Sequence, residues 1–170
     1  MRINSMKIKI TTLIFCCLLL ACSKKANLTF SETLTGCPAN AVCTYNYTEN
    51  TNSYNQNQLI NGNYKVFTYN KIDTNNINIQ LFFKTSLSNN EFVINSAQIA
   101  AGNVAFYNVI CISCNVLPTR PVGGEIKGKK TDPTHWLINA SVVLGNSFNK
   151  HLDTVKIIQY YTPQVGYLYL

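Results

Sequence analysis

The chain has 170 residues, 46% of them hydrophobic, and a formal net charge of +7 from 14 basic and 7 acidic side chains. The length suits one domain with a single core. The basic residues are scattered, so no nucleic-acid module is read from them, and the apolar run over residues 10–20 falls well short of the ~20 residues of a membrane-spanning helix.

Arg2, Lys7 and Lys9 precede that run, Thr11 and Thr12 alone break it, and Leu19-Leu20-Ala21-Cys22 closes it before the polar Ser23-Lys24-Lys25. A positive start, a short apolar stretch and a small residue before a cut make the layout of a secretory signal peptide. Leu19-Leu20-Ala21-Cys22 resembles the lipobox of bacterial lipoproteins, a resemblance confined to the first 25 residues. It implies diacylglyceryl transfer to the Cys22 thiol, cleavage before it and N-acylation. Two or more acyl chains, such as palmitate, anchor stably where one is marginal, at ~0.8 kcal/mol per buried CH₂. Ser23, where retained lipoproteins of this class carry Asp, implies an outer-membrane destination. The expected organisation is a signal helix over 1–21, a lipidated tether over 22–27 and a globular domain over 28–170, held at the periplasmic face of the outer membrane.

Cleavage before Cys22 leaves 149 of the 170 residues and 11 basic against 7 acidic side chains, a net +4. Cys16 and Cys17 depart with the signal peptide and Cys22 is acylated. Cys37, Cys43, Cys111 and Cys114 remain, and an even number in an exported chain reads as two disulfides, with three possible connectivities.

The first expected strand covers 27–34. Cys37 to Cys43 is a compact loop that a local disulfide would close. A strand over 41–48 puts Cys43, Tyr45 and Tyr47 on one face, because side chains alternate across a strand. Residues 49–58 are polar and read as a loop, Asn61-Gly62 as a turn, and 63–72 as a strand with aromatic residues on both faces. After a turn at 74–76 comes the clearest alternation, with Ile77, Ile79, Leu81 and Phe83 on one side and Asn78, Gln80, Phe82 and Lys84 on the other. Residues 92–112 read as two strands, with 96–101 between them compatible with a helix until Gly102-Asn103. Two prolines make 115–121 a loop or irregular edge. A meander follows: a strand over 124–130, a turn at Asp132-Pro133-Thr134, a strand over 135–144 with Trp136, Ile138, Ala140, Val142 and Leu144 inward, and a strand over 153–162 with Val155, Ile157, Gln159 and Tyr161 on one face. Residues 165–170 could add a closing strand. The 23 asparagines punctuate the chain into such short pieces. The expected fold is all-β, a single antiparallel sandwich or small barrel of about 8 strands.

Cys111-Ile112-Ser113-Cys114 is the sharpest local motif. A C-x-x-C pair can cycle between dithiol and disulfide when a helix start stabilises the thiolate. Here a strand precedes it and Asn115-Val116-Leu117-Pro118 starts no helix, so a structural disulfide is the favoured reading. The C-x-x-C and the small β-domain are two features in which the chain is similar to envelope-stress lipoproteins, and a thiol–disulfide role is the alternative they imply. Zinc on four cysteines fits poorly, since the spacings match no familiar site. The two histidines are His135 and His151, and His151-Leu152-Asp153, with no third ligand nearby, reads as a surface turn pair and not a metal site. There is no nucleophile elbow, phosphate loop, dinucleotide fingerprint or calcium loop, so neither catalytic residues nor a cofactor are assigned. Lys127, Lys129 and Lys130 could meet an anionic surface but read better as edge lysines that discourage strand pairing. Tyr45, Tyr47, Tyr54, Tyr64, Phe67, Tyr69, Tyr107, Trp136, Tyr160, Tyr161, Tyr167 and Tyr169 could offer a sugar- or peptide-binding face, although packing accounts for most of them. The functional expectation is a lipid-anchored envelope domain, binding or structural and not an enzyme, tethered to the membrane through Cys22, with an envelope protein or glycan as partner.

Overall fold

The computed structural model describes residues 28–31, 33–53, 59–74, 77–109, 119–146, 148 and 150–164. Nine strands lie among them: β1 (Ala41–Ser53), β2 (Leu59–Asn61), β3 (Tyr64–Asp73), β4 (Asn78–Ser86), β5 (Glu91–Ile94), β6 (Val104–Val109), β7 (Arg120–Lys130), β8 (Trp136–Gly145) and β9 (His151–Pro163). A short helix, α1 (Ser96–Gln98), runs into a wide helical turn, Ile99–Asn103, between β5 and β6. The all-β expectation holds. The sheet order is β5-β7-β8-β9-β1-β3-β4-β6, with β2 added to β1, and the sheet curls into a half-barrel.

The sheet is mixed, not purely antiparallel. Two antiparallel runs, β5-β7-β8-β9 and β1-β3-β4-β6, meet at one parallel pair, β1 with β9, at Asn46↔Thr162 and Tyr47↔Pro163. Beyond that short register the two strands do not pair, and Thr35 serves the vacant edge of β9. Its backbone N–H donates to the Ile158 carbonyl at 2.9 Å, and its hydroxyl accepts the Ile158 N–H at 2.9 Å. Its carbonyl takes the Gln159 amide at 2.9 Å. The strand expected over 27–34 is therefore a correction: described residues 28–31 and 33–40 form no strand. This part of the chain satisfies β9 through one residue before Gly36 and Pro38 turn it into the disulfide loop.

The polar stretch expected as a loop over 49–58 is strand as far as Ser53. A register shift between Thr48 and Thr51 bends β1, and Asn50 there takes a positive φ of 56°, a conformation asparagine tolerates better than most residues. Beyond the bend, Thr51 is fully buried and β2 pairs with 51–53. On β7, Gly128 lies beneath the Phe92 ring, where a Cβ would come within 2.2 Å of a ring carbon.

Alternation places the core as expected on β8. Trp136, Ile138, Ala140, Val142 and Leu144 all face it, as do Leu81 and Phe83 of β4 and Ile157 and Tyr161 of β9. Phe67 is central: its ring lies 5.2 Å from Phe83, 5.3 Å from Trp136, 5.4 Å from Phe92 and 5.7 Å from Tyr161. Each such buried side chain contributes about 1.5–3 kcal/mol, and the concave face is filled by these rings. Phe82 is buried on the opposite face of β4, edge-on to Tyr107.

Candidate functional site

Cys22, Cys111 and Cys114 lie outside the described residues, as does the closing strand expected over 165–170. Cys37 and Cys43 are joined, with Cα atoms 5.8 Å apart. That bond excludes a pairing of either residue with Cys111 or Cys114, and it removes two of the four thiolates a zinc site would have used. Among the described residues no group of three or more His, Cys, Asp or Glu is placed to hold a metal.

The histidines serve turns. His135 Nδ1 lies 2.9 Å from Asp132 Oδ2, and the Thr134 N–H donates to Asp132 Oδ1 at 2.8 Å. The Thr134 N–H foremost, then His135, hold the Asp132 carboxyl down at about 2. His151 Nε2 reaches the Asp153 carbonyl and the Thr154 hydroxyl, each at 3.1 Å, so its partner is the Asp153 backbone and not the carboxylate. The reading of the lysine trio as edge residues is corrected, because β7 is an interior strand, flanked by β5 over Ile126–Lys129 and by β8. Lys127 pairs with Glu125 at 2.8 Å, and the Lys129 ammonium stands 4.8 Å from the Phe30 ring centroid.

Tyr45, Tyr69 and Tyr161 cluster inside the half-barrel, with Tyr45 stacked on Tyr69 at 5.4 Å and edge-on to Tyr161 at 5.6 Å. Burial, then the neighbouring Tyr45, pushes Tyr69 up to about 12. Burial drives Tyr161 well above the ordinary tyrosine value. These phenols stay protonated at any physiological pH and act as packing groups. The Tyr161 hydroxyl and the Trp136 indole N–H have no hydrogen-bond partner among the described residues.

Two lysines that the sequence reading passed over carry more chemistry. Lys65 points the same way as Phe67 and Tyr69, and its side chain is 3% exposed. Its ammonium lies 4.2 Å from the Trp136 ring centroid, 5.9 Å from Tyr47 and 3.1 Å from Glu49 Oε1. The visible signal was its phase, i and i+2 with a core phenylalanine. With both an aromatic face and a carboxylate in place, Lys65 is satisfied internally.

Lys84 is different. β6 pairs with β4 only as far as Phe83↔Val104, so Lys84–Ser86, still paired with β3, extend past β6. Between that overhang, β5 and the helical turn lies an open cleft of about 490 Å³, within the ~300–1,000 Å³ of small-molecule sites. Phe92 and Ile94 supply apolar lining, and Tyr64, Lys84, Asn89, Gln98 and Asn103 supply polar groups. The Lys84 ammonium sits 4.8 Å from the Tyr64 ring centroid and donates to Asn52 Oδ1 at 3.1 Å. A reciprocal cap fixes Gln98: its backbone N–H donates to Asn95 Oδ1, and its Oε1 accepts the Asn95 N–H. The cap uses the carbonyl end of that amide. Among the described residues no carboxylate lines the space.

The arrangement gathers polar groups and an apolar lining in one space. Of the aromatic residues proposed for a binding face, the cleft uses Tyr64, which is 39% exposed. The cleft was hidden from the sequence because its lining comes from β3, β4, β5 and the helical turn, and local spacing carries no sign of their convergence. Compared with protein-family models, with curated proteins and with solved structures, the chain has no match in any of the three.

Proposed function

We propose that the chain is a lipid-anchored binding domain of the cell envelope, tethered through acylated Cys22, that captures a ligand in the cleft between β4 and β5 and performs no chemistry on it. The observation that carries the binding role is the cleft itself. Phe67, Phe83, Trp136 and Tyr161 are buried in the core of the sheet, whereas the cleft presents polar groups on an apolar lining. A rigid scaffold holding convergent polar side chains is what a recognition site requires. The anchoring rests on Leu19-Leu20-Ala21-Cys22 and the polar tether after it.

Two measurements test the two parts. Cys22→Ala should abolish labelling by radioactive palmitate and leave uncleaved precursor; normal labelling of that variant overturns the anchor. The full-length protein in detergent, applied to an array of envelope glycans and peptides, should retain at least one class, and the Tyr64→Ala/Lys84→Met double variant should lose it. Equal retention by that variant places recognition away from the cleft.

A further inference from the structure

From the cleft's polar groups we infer that its ligand is a carboxylate-bearing saccharide, a uronic-acid type of sugar, an inference that rests on the cleft being the binding site. Among the described residues no carboxylate lines the cleft, and Lys84, which does line it, holds its ammonium 4.8 Å from the Tyr64 ring centroid. Its neighbours among the described residues are the neutral Asn52 amide and the Tyr64 ring. By contrast, Lys65 and Lys127 are each spent on an intramolecular carboxylate. A cation brought to a cleft without its counter-charge selects an anion, because the charge-assisted hydrogen bond is about twice as strong as a neutral one.

The other lining groups specify what carries the anion. Asn89, Gln98 and Asn103 are planar amides, each with a donor and an acceptor end, suited to the alternating donors and acceptors of vicinal hydroxyls. The capping box fixes the orientation of the Gln98 amide before any ligand arrives, so its ordering cost is already met in the fold. Tyr64 adds a partly exposed ring, an apolar platform for the C–H face of a pyranose. The volume of about 490 Å³ holds a mono- or disaccharide. A phosphate would call for an arginine fork or a ring of backbone N–H groups. Here the helix is three residues long, and the side chain of Asn95 already occupies the Gln98 N–H.

Isothermal titration of the full-length acylated protein in detergent with digalacturonate, its dimethyl ester, cellobiose, triglycine and inorganic phosphate tests this. Digalacturonate should bind, and its dimethyl ester should bind about tenfold more weakly. Lys84→Met should erase that difference, and Tyr64→Ala should weaken both ligands. Circular dichroism should show both variants folded, since neither residue belongs to the core. Cellobiose or the ester binding as tightly as the acid overturns the acidic-sugar inference and leaves the cleft reading standing. So does triglycine or phosphate binding more tightly than digalacturonate. If Tyr64→Ala and Lys84→Met leave digalacturonate binding unchanged, or if none of the five probes binds, the inference fails. The glycan and peptide array then decides separately whether the cleft reading fails with it.

Discussion

The Lys65 ammonium stands 4.2 Å from the centroid of the Trp136 ring, which belongs to the apolar core of the sheet. Both side chains are buried, whereas Glu49, which completes the arrangement, is 49% exposed. Desolvating an ammonium costs several kcal/mol, which the ring and the carboxylate offset. Lys65→Met keeps the stem and discards the charge, and Glu49 can then turn to water. Its unfolding free energy in urea should lie within about 1 kcal/mol of the parent chain. Lys65→Glu, which buries a charge beside Glu49, should lose about 3–5 kcal/mol. Equal losses for the two variants would mean that stem packing, and not charge, matters at this site.

The turn between β7 and β8 should be acid-sensitive. The Asp132 carboxyl is held at about 2, below its ordinary 3.8. A depressed folded value means that its contribution is complete above the ordinary value and fades as pH falls through the folded one. The Thr134 amide resonance should therefore move between about pH 4 and 2, tracking Asp132 ionisation, and Asp132→Ala should speed hydrogen exchange at Thr134. An Asp132 titration midpoint near 3.8 would contradict the turn geometry.

At high pH the sign reverses. Tyr69 lies at about 12 and Tyr161 well above 10, so the folded state keeps protons that the unfolded chain releases. Stability from these phenols is intact below pH 10 and falls as pH rises towards 12, at up to ~1.4 kcal/mol per pH unit for each group. Tyrosinate absorbance of the buried phenols should appear together with loss of the circular dichroism signal. Tyr161→Phe removes a hydroxyl with no partner. It should leave the protein as stable as before or gain up to ~1–3 kcal/mol, and it should shift alkaline unfolding upward.

With Cys37 bonded to Cys43, and with cleavage and acylation at Cys22 as proposed, Cys111 and Cys114 are left to pair with each other. Alkylation of the denatured, unreduced protein should find no thiol, and mild reductant should leave both bonds intact. A readily alkylated Cys111–Cys114 pair would favour a thiol–disulfide role instead. Replacing Cys37 and Cys43 together by Ser should cost about 2 kcal/mol, the entropy of a short loop.

The strand pattern was legible wherever one face is apolar and the other wet. The inward set Trp136 to Leu144 is apolar at every second position of β8, and Asn139 and Ser141 mark the other face, although Leu137 on that face is buried too. The rule failed where burial depends on distant partners. Thr51 is fully buried in a stretch that reads as polar, since past the bend at Asn50 it is paired on both sides, with Asn61 of β2 and Tyr64 of β3. Lys65 sits among aromatic rings because a carboxylate and an indole from other strands receive it. The local disulfide could be anticipated from its short loop. The cleft could not, because Tyr64 and Gln98 are far apart in the chain.

The parallel contact of β9 with β1 also sets an order of events. The strand that joins the two antiparallel runs is the last described one, and its partners Asn46 and Tyr47 lie more than a hundred residues earlier. A chain emerging N-terminus first can form the β1-β3-β4-β6 run early, but the rings of Phe67 and Phe83 await Trp136 and Tyr161 from the other run. Closure over so long a separation is intrinsically slow. Completion of the core thus waits on the arrival of residues 151–163, the strand that carries Tyr161.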